Sequence, residues 1–168
     1  MKTMKALCLS VLGLCLVFLT ACNTVTPRQY FEKAVLNTNT FADFGTEHMI
    51  TQLTSAPQSY PATKMMEHRV QRVEIVLNDL KTLRQTDETK DMVQTSIALH
   101  EYVLPIYKNE YMALARLCDN KAPKEEIDAK EEEIVSKYGQ KFGELFLRLT
   151  DLGKAYAWKN DIKVIWGR

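Results

Sequence analysis

The amino-acid sequence predicts an all-α protein, built as an up-down-up-down four-helix bundle. Three observations support this fold class. Apolar residues recur at alternating spacings of four and three over long stretches, as in a helix with one buried side. Residues typical of helix starts stand at intervals along the chain, at Thr26-Pro27, Pro61 and Pro123. Strand-like alternation is almost absent before the C-terminus, and no repeat of about 34 residues appears.

The first predicted helix begins with Thr26 as N-cap, Pro27 in the first helical position and Gln29 completing a capping box. We expect this helix to run to about Thr54, with Gly45 as its weak point. Its predicted apolar side consists of Tyr30, Phe31, Ala34, Phe41, Phe44 and Met49. Residues 55–60 are predicted to form a loop.

The second helix is predicted from Pro61 to about Gln85, and the third from a cap at Thr86 or Asp87 to about Asp119. The apolar stripe of the second helix contains Met66, Val70, Val73, Leu77 and Leu80. That of the third contains Val93, Ile97, His100, Leu104, Tyr107, Tyr111, Leu114 and Cys118. Pro105 should kink the third helix. Because Cys118 lies on the apolar stripe, we expect a buried thiol rather than a reactive one.

The fourth helix is predicted to start at Pro123, with acidic residues in its first turn and a C-terminal end near residue 160. Its apolar side contains Ile134, Tyr138, Phe142, Leu145, Leu149, Leu152 and Tyr156. The helical period is lost after residue 160, and residues 161–168 are predicted to form a tail.

The first 21 residues have the composition of an export signal. Lys2 and Lys5 give a short basic start, and residues 6–18 are almost wholly apolar. This apolar run suits the core of a signal but is short for a membrane-spanning helix. The predicted organisation is a signal peptide at 1–21, a tether at 22–25, a bundle at 26–160 and a tail at 161–168.

The sequence Leu19-Thr20-Ala21-Cys22 resembles the lipobox of bacterial lipoproteins. The resemblance covers residues 1–22 and implies that Cys22 Sγ receives diacylglycerol and that the signal is cleaved before Cys22. The new amino group would then be acylated, with palmitate as a typical chain. In enterobacterial lipoproteins Asp after the cysteine favours inner-membrane retention, so Asn23 implies an outer-membrane location facing the periplasm. The alternative is an ordinary secretory signal or a hydrophobic anchor.

The charge balance restricts the kinds of partner that the protein can bind, and the cysteine count restricts its possible disulfides. The chain has 22 basic and 21 acidic residues, and the predicted signal removes two lysines and no acid. The remaining 147 residues therefore carry 20 basic and 21 acidic side chains, a balance that argues against nucleic-acid binding. Cys8 and Cys15 leave with the signal and Cys22 carries lipid, so Cys118 has no cysteine left for an internal disulfide.

The sequence contains no recognisable catalytic or metal-binding pattern. Each histidine neighbours a glutamate in the chain, but adjacent helical residues point about 100° apart and do not build a Glu-x-x-His di-iron site. We expect His100 to be hydrogen-bonded in the core, and His48 and His68 to lie on the surface. Motifs for a nucleophile elbow, a phosphate loop, a zinc protease or attached haem are absent. The sequence predicts neither enzymatic activity nor a cofactor.

Two features have two interpretations each. Gly139 and Gly143 lie four residues apart on the fourth helix, and indicate either a close helix crossing or a surface for self-association. Tyr102, Tyr107 and Tyr111 indicate either a core lining or a binding face on the third helix.

The C-terminal segment combines tryptophan with cations, which membrane interfaces favour. The tether behind Cys22 spans about 14 Å when extended, so the start of the first helix must lie close to the lipid. In an up-down-up-down bundle the C-terminus returns to that same end. The predicted membrane-proximal residues are Trp158, Lys159, Lys163, Trp166 and Arg168. In the alternative interpretation the tail packs back over the open end of the bundle.

Two functions remain open from the sequence. The first is a non-enzymatic envelope lipoprotein, an interaction or structural accessory that binds another envelope protein. The second is a carrier that holds a small apolar ligand, a lipid or a cofactor in a cavity between helices. An exposed apolar strip would favour the first, and an enclosed pocket near Pro105 would favour the second.

Overall fold

The computed structural model describes residues 25–166, which form helices and connecting segments without a β-strand. The predicted signal peptide, Cys22 and Arg168 lie outside the described residues. The α-helices are α1 (Pro27–Ala34), α2 (Glu47–Thr54), α3 (Ala62–Thr82), α4 (Lys90–Ile106), α5 (Met112–Asp119) and α6 (Lys124–Lys159). The prediction of an all-α protein is confirmed.

The first predicted helix is not continuous. Its start is confirmed, because Thr26 and Gln29 form the predicted capping box. However, α1 ends at Ala34 and is followed by a 3₁₀ helix over Leu36–Phe41, a turn and then α2. The hydroxyls of Thr38 and Thr40 donate to the carbonyls of Val35 and Asn37, at 2.6 and 2.8 Å. Such local bonds compete with the α-helical ladder.

Gly45 closes the turn between the 3₁₀ helix and α2. Its φ of +67° lies in the left-handed region, and a Cβ there would lie 3.3 Å from Val135 Cγ2 of α6. Glycine alone suits both the dihedral and the close approach. The Gly45 N–H donates to the hydroxyl of Tyr111, at 2.8 Å, which fixes the turn against the core.

The helix predicted from residue 86 to Asp119 begins at Lys90 and changes conformation in its middle. Pro105 lacks an N–H and cannot donate to the preceding turn. Two residues later the chain enters a π-helical turn over Tyr107–Tyr111, and α5 then continues to Asp119. Tyr107 and Tyr111 of this turn are both buried, so the π-turn aims two phenol rings at the core.

Helix α3 runs antiparallel to α4 and α5, and these run antiparallel to α6. Between α3 and the α4–α5 segment the contacts pair Lys81 with Glu101, Glu74 with Lys108, and Thr63 with Asp119. Between that segment and α6 they pair Glu110 with Lys130 at 2.7 Å, and Glu88 with Asn160 at 2.9 Å. Short connections join each pair of neighbours.

The core is continuous between the broken first segment and the long helices. The rings of Phe44 and Phe142 stack with centroids 4.3 Å apart, and Phe41 meets the His100 ring edge-on at 4.8 Å. Other fully buried side chains include Phe31, Met49, Leu53, Met66, Leu80, Met92, Leu99, Leu114 and Ile134. The segment from α1 to α2 therefore buries aromatic side chains in the core, although it is not one continuous helix.

Candidate functional site

The start of α1, the α3–α4 connection and the end of α6 meet at one end of the molecule. The Tyr30 hydroxyl donates to the carbonyl of Arg84, at 2.5 Å. At the same end Asn160 donates to Glu88, at 2.9 Å. Phe31 meets Trp166 edge-on, with ring centroids 5.8 Å apart. We call this region the terminal end, because both ends of the described chain lie there.

The C-terminal tail reverses direction after α6 and packs back on the domain. Asp161 has a φ of +53°, and the Ile162 N–H donates to the carbonyl of Ala157, at 2.9 Å. Beyond the reversal the tail is extended, and its side chains alternate between half-buried and exposed. Trp166 is half-buried against Phe31, and Lys154 Nζ lies 5.7 Å from its ring centroid. Trp166 thus packs on the domain, as the alternative interpretation predicts.

The residue after α1 and the C-terminal tail both approach α6 closely at Gly153. A Cβ on Gly153 of α6 would lie 2.9 Å from Val35 Cγ2 and 3.5 Å from the Trp166 ring. No larger side chain fits there without moving Val35. Gly153 therefore lets α6, the residue after α1 and the tail come together.

Two large apolar side chains at the terminal end remain in solvent. Trp158 is 89% exposed and Ile165 is fully exposed. Trp158 also lines a shallow depression of about 640 Å³, whose other apolar walls are Ala155, Ala157, Ile162, Val164 and Trp166. Trp158 and the apolar walls of the depression form one contiguous surface, and such surfaces are typical of contacts with a partner or a lipid phase.

Lysines surround this apolar surface. Lys154 and Lys163 line the depression with Trp158. Lys159 lies 3.5 Å from Glu88, with both side chains exposed to solvent, so this pair contributes little stability. The hydrogen bond from Asn160, together with the Lys159 ammonium, holds the pKa of Glu88 below its usual value. The surface therefore combines apolar side chains with ammonium groups.

The predicted membrane-proximal residues fall into three groups. Trp158, Lys159 and Lys163 are exposed at the terminal end, Trp166 is half-buried, and Arg168 lies outside the described residues. Sequence reasoning missed Ile165, although residues 162–166 alternate as an extended tail would. Cys22 also lies outside the described residues.

The remaining candidates belong mostly to the core. His100 is buried and hydrogen-bonded to a backbone carbonyl, whereas His48 and His68 are exposed, so all three predictions are confirmed. Tyr107 and Tyr111 line the core, and Tyr102 donates to the carbonyl of Tyr138.

The paired glycines of α6 have no close helix crossing. A Cβ on Gly143 would meet nothing within 4 Å, and one on Gly139 would meet only Val135 of the same helix.

The prediction that Cys118 is buried is met in part, since its side chain is half-buried. Burial, with the neighbouring Asp119, raises the pKa of its thiol.

Within residues 25–166 no group of three or more histidine, cysteine or acidic side chains could hold a metal ion. No helix in that part of the chain is long and apolar enough to cross a membrane. Comparison of the chain with protein-family models, curated proteins and solved structures gives no match.

Proposed function

We propose that the protein is a lipid-anchored envelope lipoprotein that acts as a non-enzymatic interaction or structural accessory. The observation that carries the proposal is Leu19-Thr20-Ala21-Cys22, which ends four residues before the capping residue Thr26. A lipid on Cys22 would hold the start of α1 within about 14 Å of the membrane. Diacylglycerol with a third acyl chain would anchor the protein stably, since each buried methylene contributes about 0.8 kcal/mol and one chain alone binds only marginally.

The terminal end supports this orientation. It carries the start of α1 together with exposed Trp158 and Ile165 and their neighbouring lysines. Tryptophan and lysine are the side chains that membrane interfaces favour. With Asn23 after the cysteine, we propose an outer-membrane location in which the domain faces the periplasm.

We also infer that the helices are arranged as an up-down-up-down bundle in which the broken first segment takes the place of one helix. The ion pair of Asp43 with Arg69 and the hydrogen bond from Tyr30 to Arg84 support this placement, since both attach the first segment along α3. In this arrangement the opposite end of the domain points away from the lipid and is free to contact another envelope protein.

The carrier function receives less support. Four depressions stand out on the described part of the chain, and Pro105 lines none of them. The buried aromatic rings fill the space around the π-turn. We therefore place the accessory function first.

Native mass spectrometry of the protein purified from its own membranes in mild detergent tests the accessory function. We expect the mass of the lipidated chain and, after in-cell cross-linking, of a second envelope protein bound to it. A small molecule held at equal stoichiometry, with no protein partner, would support the carrier function instead.

A further inference from the structure

A polar cleft runs along α3, on the side where the 3₁₀ helix replaces an α-helix. Two adjoining depressions, of about 670 and 690 Å³, share Asn39, Thr40, His68 and Arg72 as lining residues. We call this feature the Arg72 cleft. Its size lies in the range of sites for small ligands.

Hydrogen bonds from three elements hold one wall of the cleft in place. The Arg69 guanidinium donates to both carboxylate oxygens of Asp43, at 3.0 and 2.8 Å, and to Gln52 Oε1, at 2.5 Å. The Gln52 amide in turn lies 2.8 Å from His48 Nε2. Asp43 and Arg69 are mostly buried, so the wall is rigid.

Arg72 has no carboxylate partner among the described residues. The other cations of α3 each have one: Lys64 pairs with Glu67, Arg69 with Asp43, and Lys81 with Glu101. Two carboxylates also line the cleft: Asp43 is paired with Arg69, and Asp79 lies 3.7 Å from Lys33 with both side chains exposed. Arg72 lines both depressions and contributes a positive charge that has no ion-pair partner among the described residues.

Further polar side chains line the same cleft. Those of Asn39, Tyr60 and His68 form no hydrogen bond within residues 25–166. The Tyr60 and His68 rings lie 5.8 Å apart, so both face the same space. A guanidinium beside amide, phenol and imidazole donors is suited to the oxygens of a carboxylate or phosphate.

The second depression includes an apolar strip. Leu36, Ile75 and Val76 line it beside Asn37, Gln71 and Asp79, and Ile75 is 64% exposed. His68, Arg72 and Ile75 lie on one face of α3, because they are four and three residues apart. The stripe from His68 to Ile75 spans about 10 Å.

We propose that the Arg72 cleft binds a small amphiphilic anion. Arg72, with His68 and Asn39, holds its carboxylate or phosphate group, and its apolar part lies against Leu36 and Ile75. This site is separate from the terminal end and goes beyond the proposed anchoring function.

Titration of the ¹⁵N-labelled mature chain, residues 22–168 with Cys22→Ser, tests the site with two probes. Residues 25–166 enclose a continuous hydrophobic core of their own, as a domain that folds independently does. Inorganic phosphate should shift the side-chain signals of Asn39 and Arg72 saturably. Octyl phosphate below its micelle concentration should bind at least tenfold more tightly. No saturable shift at these side chains would overturn the proposal.

Two variants and a control separate the parts of the site. Arg72→Gln should weaken both probes at least tenfold, and Ile75→Ser should reduce only the octyl phosphate affinity, to the level of inorganic phosphate. Arg148→Gln removes an exposed arginine of α6 and should leave both affinities unchanged. If Arg72→Gln and Arg148→Gln weakened binding of the two probes equally, the proposed site would be wrong. If Ile75→Ser left the octyl phosphate affinity unchanged, the proposed apolar part of the site would be wrong. The variants should unfold at the same denaturant concentration as the wild type, since these side chains are exposed.

Discussion

Among single residues, His100 is a buried titratable group whose charged form the core disfavours. Its Nδ1 donates to the carbonyl of Ser96, at 2.7 Å, and its Nε2 is buried without a hydrogen-bond partner. Burial lowers the pKa of His100 below its usual value, although the bond to Ser96 opposes this shift. The folded state therefore contains neutral His100.

The lowered pKa predicts a loss of stability in mild acid. The unfolded chain takes up a proton near pH 6.5 that the folded core resists, so the free energy of unfolding falls as the pH drops below that value. Urea denaturation at pH 7.5 and 5.5 measures the difference. His100→Leu should reduce the difference in unfolding free energy between the two pH values, whereas His68→Leu, at an exposed position, should not reduce it. Equal pH dependence in the wild type and His100→Leu would contradict this role.

At the scale of elements, a carboxylate at the end of α5 caps the start of α3. Asp119 accepts the N–H groups of Ala62 and Thr63, at 2.7 and 3.0 Å, and the Thr63 hydroxyl, at 2.7 Å. Burial raises the pKa of Asp119, but these hydrogen bonds outweigh it and lower the pKa below its usual value. Pro61, at the N-cap position, provides no side-chain hydrogen bond of its own.

Asp119→Ala should lower the free energy of unfolding by about 1–2 kcal/mol, because two backbone donors of α3 lose their acceptor. Asp87→Ala is the matched control, since Asp87 is exposed in the α3–α4 connection and should change the stability by less than about 0.5 kcal/mol. Chemical denaturation of both variants at pH 7 gives the comparison. A similar loss in both would show that Asp119 is not a cap.

The ends of α6 were predictable because proline and polar residues mark them in the chain. The predicted α6 start at Pro123 and end near residue 160 agree with Lys124–Lys159. The break in the first helix was missed because its apolar spacing continues through Phe41 and Phe44. The run Asn37-Thr38-Asn39-Thr40 was the available signal, since these residues bond to the local backbone. The cap at Asp119 depends on residues 56 and 57 positions apart, which no local pattern reveals.

At the level of the whole molecule, the terminal end brings together the start of α1, which follows the proposed lipid anchor, and the C-terminal tail. Sequence reasoning identified Trp158 and Trp166 by type, but their different burial depends on the tail reversing at Asp161. The Arg72 cleft was not predicted, because it exists only where the 3₁₀ helix lies beside α3.

The orientation predicts that the terminal end contacts anionic lipid even without the anchor. For the mature chain with Cys22→Ser, phosphatidylglycerol vesicles should shift the tryptophan emission to shorter wavelength, since exposed Trp158 would enter the interface. Trp166→Phe should retain the shift and Trp158→Phe should lose it. An unchanged emission spectrum in the wild-type sequence would contradict lipid contact at this end.

We propose that Cys22 carries the lipid that anchors the protein. Mass spectrometry of the N-terminal peptide, from protein expressed with its signal and recovered from membranes, would detect this lipid. We predict a chain that begins at Cys22 and carries diacylglycerol and an additional acyl group, and no processing in Cys22→Ala. Cys118→Ala should be processed as the wild type is. An unmodified Cys22, or a chain that begins at another residue, would contradict the account.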